Sequence, residues 1–223
     1  MNKTPLRKTS APWRVALLAL AATAALSACA PALIGGAIVG TAAVAADRRS
    51  PGAQVEDQSI ELKADARIRE LTADRAHVNV TSYNRLVLLT GETPEAADRA
   101  TVEQAVSRID GVRAVVNELA VMGKTSLTAR SNDAILTARV KASFIDALEL
   151  NPQTVKVITE RGVVHLMGRV TEREASRAVE AARGVSGVSK VVRVFEIISD
   201  AELRELQRPA GDAGTARDAA AKK

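Results

Sequence analysis

The sequence predicts an α+β fold: two tandem αββαβ units, each a small three-stranded sheet packed under two helices. Three observations predict it. An internal repeat sets HVNVTSYNRLVLLTG (His77 to Gly91) against TVKVITERGVVHLMG (Thr154 to Gly168). A helix start, an apolar stripe and a glycine-valine pair follow in both copies, and the step from closing glycine to second glycine is 20 residues in one and 19 in the other. A further helical stripe precedes each copy.

Each element has a local reason. The stretch before the first copy carries Ile60, Ala64, Ile68 and Leu71, and that before the second carries Leu136, Val140, Phe144 and Ala147; these are helical spacings. The repeat itself alternates apolar and polar residues, turns, and runs apolar again, as a hairpin does. Thr93-Pro94 predicts a helix start with proline at its first position, and Thr171 to Glu174 (TERE) reads as a capping box. The stripes after these starts are Val102, Ala105, Val106, Ile109 and Ala175, Ala178, Val179, Ala182. Gly111 and Gly187 are expected to end these helices with positive φ. VRAVVNEL and VSKVVRVF supply the last strands. One such unit is marginal alone, which favours packing of the two copies against each other.

The expected organisation is a signal segment over 1–28, a tether over 29–54, the first unit over 55–122, a linker over 123–130, the second unit over 131–199 and a charged, low-complexity tail over 200–223 with a short helix at Ala201 to Gln207.

The chain has one cysteine, Cys29, at the end of LSAC. Lys3, Arg7, Lys8 and Arg14 make a basic leader without an acid, and Val15 to Leu26 carries no charge. Basic region, apolar region and small residues before a cut are the parts of an export signal. A buried or reactive thiol and an uncleaved span are the rival readings. Twelve apolar residues suit a signal better than a span, and Pro31, Gly35, Gly36 and Gly40 interrupt the uncharged stretch after Cys29. LSAC resembles a bacterial lipobox, which implies cleavage before Cys29 and acylation of that residue. Several acyl chains give stable membrane anchoring where one does not. With Cys29 acylated no disulfide is available.

The formal charge of +5 includes the four cations of the leader, so the rest is near +1. Aromatic content is 2%. Both argue against nucleic acid as a partner. No catalytic residues are indicated: the sequence has no nucleophile elbow, phosphate loop or dinucleotide fingerprint. His77 and His165 lie in strands with no cysteine or second histidine at ligand spacing, so neither a metal nor a cofactor is expected. Glu56-Asp57 and Glu172/Glu174 read as helix-start charges.

The repeat resembles the BON domain, a family named for bacterial osmotically inducible and nodulation proteins. The strand pairs closing at Gly91 and Gly168 carry the resemblance, with the ends GVRAVVN (Gly111 to Asn117) and GVSKVVR (Gly187 to Arg193). The lipobox, the Ala/Gly-rich tether, DRRS (Asp47 to Ser50), VTEREA (Val170 to Ala175) and VSGV (Val185 to Val188) extend it to the dual-BON outer-membrane lipoproteins. This resemblance implies a non-enzymatic protein anchored on the periplasmic face of the outer membrane. It implies a role in envelope integrity, gathering at the division site, and binding of anionic phospholipid through the first helix of the second copy. Ala30, rather than aspartate, after the cysteine agrees with outer-membrane sorting.

At about 100° per residue, that helix has a core face (Leu136, Val140, Ser143, Phe144, Ala147) and a second apolar strip opposite. The strip is Ile135, Ala138, Ala142 and Ile145, edged by Arg139 and Lys141. Apolar residues edged by cations suit an anionic interface, although Asp146 and Glu149 oppose it. The first-copy equivalent reads Ser59, Leu62, Ala66 and Arg69, with Asp65 in place of Lys141. The family pattern has an aromatic where this chain has Ile135. Residues 55–122 carry net −4 and residues 131–199 net +2. Two alternatives stay open. The strip packs against the first copy, or the protein is a periplasmic adaptor for another envelope protein with incidental lipid contact. No oligomeric state is implied.

Overall fold

A computed structural model describes residues 47–73, 75–147 and 150–207. Helix α1, Pro51–Thr72, begins where Ser50 accepts the Ala53 N–H and proline fills the first turn. It buries Ile60, Ala64, Ile68 and Thr72 on one side and ends at Ala73 in the left-handed region. Strands β1 (His77–Tyr83) and β2 (Leu86–Thr93) form an antiparallel hairpin with Tyr83 opposite Leu86. Its two loop residues, Asn84 and Arg85, both have positive φ, as the right-handed twist of a two-residue hairpin requires. Helix α2 (Ala96–Ser107) crosses back, so that β3 (Ala114–Asn117) and the two-residue β4 (Ala120–Val121) both lie parallel to β2.

The second copy repeats the plan. Helix α3 spans Leu127–Asp146, and β5 (Lys156–Glu160) and β6 (Val163–Val170) form a hairpin around Arg161-Gly162, again with positive φ. Helix α4 (Glu172–Arg183) returns the chain to β7 (Lys190–Ile197), parallel to β6. A last helix, α5, spans Asp200–Leu206 under a Ser199 cap.

Strand alternation sorts the side chains into three cores. Val87 and Leu89 point towards α1 and α2 with Ile60, Ala64, Val102 and Val106. Val164 and Leu166 point towards α3 and α4 with Val140, Phe144, Ala175 and Ala178. The intervening residues turn the other way and form the third core, where Leu88 and Tyr83 of the first copy meet Met167 and Val194 of the second. The two sheets therefore pack on each other with helices outside both, which supplies the shared burial each small unit lacks.

The closing glycines have a steric cause. A Cβ at Gly91 would collide with the His77 carbonyl, and one at Gly168 with the Thr154 carbonyl.

Several expectations are corrected. The tether was expected to run to residue 54, but α1 starts at Pro51 and Asp47 to Ser50 is docked. Arg48 donates to Glu174 at 2.6 and 2.8 Å and to the Arg169 carbonyl at 2.7 Å. Arg49 bonds Asp47 and Asp57 and lies 4.3 Å above the Tyr83 ring. The linker, expected over 123–130, gives its last four residues to α3, because Ser126 caps that helix through the Ala129 N–H. Pro94 precedes α2, whose cap is Glu95 with no side-chain bond. Gly111 and Gly187 do have positive φ, but they lie in the turns beyond the helices, which end at Arg108 and Gly184. The predicted capping box is present at Thr171/Glu174.

Asp57 is not a helix-start charge. It is buried and accepts the Ser82 hydroxyl and the N–H groups of Asn84 and Arg85, each at 2.7 Å.

Candidate functional site

The strip on α3 faces outward because Asp133, Leu136, Val140 and Phe144 fix the opposite side of the helix in the second core. Ile135, Ala138, Arg139, Lys141, Ala142 and Ile145 are all solvent-exposed, with Arg139 and Lys141 at the two edges of the strip. Ile135 is 52% and Ile145 75% exposed, so the strip does not pack against the first copy. Neither Arg139 nor Lys141 has an ion pair among the described residues. Glu149 and Cys29 lie outside the described residues.

The apolar line is longer than the residues Ile135 to Ile145 alone. Leu127, 78% exposed, and Ala134 fall on the same side of α3. Seven residues before Ala134, Leu127 was hidden in the expected linker; the Ser126 cap, a serine before a helical run, was its signal. From Leu127 to Ile145 the strip therefore runs nearly the whole 20-residue helix, roughly 27 Å. A groove of about 380 Å³ runs beside it, lined by Ile135, Arg139, Arg161, Gly162 and Gly187. On α1 the matched surface exposes Leu62 but offers Asp65 and Arg69, which face each other at 4.0 Å.

The two copies are joined at both ends of their shared core. At one end Glu196 accepts from Asn84 at 2.7 Å and Arg113 at 3.0 Å, beside the Arg48–Glu174 pair. Burial opposes ionisation of Glu196, yet Asn84 and Arg113 outweigh it and hold its carboxyl below the ordinary range. Burial likewise opposes ionisation of Glu174, and Arg48 with the Thr171 N–H prevails.

At the other end, residues read from sequence as unconnected come together. His77 Nδ1 lies 3.2 Å from Glu92 Oε2, Arg161 bonds Glu92 Oε1 at 3.0 Å, and Asn79 donates to Glu160 at 3.0 Å. Burial and the neighbouring Glu92 carboxylate raise the Glu160 pKa. His165, expected to be a plain strand side chain, is buried, and burial lowers its pKa. No described helix is long and apolar enough to cross a membrane.

The profile of the BON domain family matches residues 56–123 and 132–199. The chain is 37% identical over 193 residues to outer membrane lipoprotein DolP of Haemophilus influenzae, covering 85% of this chain and 99% of that protein. It is 34% identical over 158 residues to the 21 kDa hemolysin of Actinobacillus pleuropneumoniae, covering 68% and 79%. Over 92 residues it is 34% identical to osmotically-inducible protein Y of Escherichia coli, covering 41% and 45%. None of these names is that of an enzyme. A chain folded as two αββαβ units sharing a third core, and matched over both units, belongs to the BON domain family and is a dual BON-domain protein similar to DolP.

Proposed function

We propose that this protein is an outer-membrane lipoprotein, acylated at Cys29, that supports envelope integrity by binding anionic phospholipid through α3. The observation that carries the reading is the solvent-facing apolar strip, beside which two cations have no ion pair among the described residues. Ile135, Ala138, Ala142 and Ile145, extended by Leu127, enter the boundary between head groups and acyl chains. Arg139 and Lys141 meet head-group phosphates. The groove between Arg139 and Arg161 offers room for one head group. The membrane thus stands in for the missing partner surface of a helix apolar on two sides. Gathering at the division site belongs to the same proposal and rests on the family resemblance.

The test is flotation of residues 47–223 with vesicles of stated composition. Binding to phosphatidylglycerol vesicles and not to phosphatidylcholine vesicles supports the reading. Absence of binding, with a protein crosslinked through α3 in cells, supports the adaptor reading instead.

A further inference from the structure

The polar end of the interface between the copies brings an imidazole and two carboxylates together. The ligand atoms of His77, Glu92 and Glu160 all lie within 4.8 Å of one another. Two come from the first sheet and one from the second. Two ligands of a tetrahedral zinc ion stand about 3.3 Å apart; His77 Nδ1 and Glu92 Oε2 are 3.2 Å apart. We propose that His77, Glu92 and Glu160 form a divalent metal site of the zinc class that bridges the two BON copies.

Outer contacts of the kind that orient metal ligands are already in place. Arg161 holds Glu92 through Oε1 at 3.0 Å, and the Thr125 N–H donates to Oε2 at 3.2 Å. Asn79 holds Glu160 through Oε2. Two carboxylates against one guanidinium leave the pocket one positive charge short, which a divalent ion reverses. One imidazole and two carboxylates suit zinc, with a water completing the shell.

A second observation is independent of the acids. Buried polar atoms nearly always find a partner, yet Thr90 Oγ1 has none; Thr90 is 1% exposed and lies directly opposite Asn79, on the sheet face that carries His77 and Glu92. A bound ion with its water supplies a partner to such an atom.

The test uses the full chain in detergent, stripped with a chelator and titrated with Zn²⁺ by calorimetry, with the melting temperature followed in parallel. One ion bound per chain and a melting temperature raised by Zn²⁺ are expected, since the ion binds only the assembled interface. Glu160→Gln and His77→Ala should each weaken binding by about 10-fold or more, and Asn79→Ala by a similar factor through the outer shell. No binding by the unchanged protein, or binding by all three variants as tight as that of the unchanged protein, overturns the proposal. Should the variants fail to fold, Co²⁺ is added to the unchanged protein instead. Paramagnetic broadening of amide signals centred on β1, β2 and β5 supports the site, and broadening centred elsewhere overturns it.

Discussion

Asp57 accepts the Arg85 N–H at 2.7 Å, and at the matching place in the second copy Asp133 accepts the Gly162 N–H at 2.9 Å. Each acid sits on the first helix of its unit and holds the hairpin turn, where two adjacent N–H groups point at one carboxylate. Asp133 also accepts the Arg161 N–H at 2.8 Å. Asp133→Ala leaves both donors without this acceptor, so it should cost about 2 kcal/mol or more. Chemical denaturation of residues 47–223 measures it. A cost under about 0.5 kcal/mol, the scale of an ordinary surface change, would show that the turn holds itself.

The strap at Arg48 should matter as much. Its guanidinium and the Glu174 carboxylate are both nearly buried and 2.6 Å apart. Arg48→Ala leaves a buried charge, with an expected cost of about 3 kcal/mol. Arg48→Met with Glu174→Leu removes both charges and should recover much of it. A double-mutant cycle separates the pair from the bonds that Arg48 and Arg169 make to each other's carbonyls.

Acid should loosen the end of the interface where the strap docks. Asp57, Glu174 and Glu196 all have lowered pKa values. For Asp57, burial opposes ionisation, and the Ser82 hydroxyl, the Arg85 N–H and Arg49 outweigh it. A depressed folded pKa contributes stability above the unfolded value, near pH 4, that is lost as pH falls through the folded value. Asp65 and Glu160 are raised, chiefly by burial, and act in the opposite sense. The melting temperature should therefore fall from pH 5 to pH 3, and Glu174→Gln should flatten the fall. A melting temperature unchanged down to pH 3 contradicts the assignment.

Charge reversal should separate the two copies functionally. Each cation near an anionic surface contributes about 1 kcal/mol, so Arg139→Glu with Lys141→Glu should weaken vesicle binding about 30-fold or more. Salt should weaken the wild type in the same direction. Leu127→Asp and Ile135→Asp should also impair binding, while Ile135→Trp should strengthen it, since an indole suits the interface. The matched first-copy changes at Ser59 and Lys63 should do little. Equal losses from both copies would move the lipid site off α3.

Cys29→Ala should block lipobox processing and leave the leader attached, seen as a heavier band and loss of acyl label. Fractionation of the wild type with the inner membrane would contradict the sorting expected from Ala30.

The α+β class, the repeat and most core residues were legible in the chain because they rest on local periods. A strand shows itself at period 2 and a helix at 3.6, and Val87, Leu89, Val164 and Leu166 fall in step with helix stripes a few residues away. The Thr171 box was legible for the same reason, since both partners sit within one turn. The sequence by itself thus determined the two units and which side of each helix is buried. Only the tertiary structure decided what lies across the sheets. Leu88 and Met167 look like any strand residue until the two sheets face each other. Asp57 is worth a helix-start charge until the hairpin turn arrives 27 and 28 residues later. Asn79 and Glu160 stand 81 residues apart, and no local spacing links them. The α3 strip was readable as apolar, but exposure is a property of what fails to cover it, and that is fixed by the packing of the sheets elsewhere.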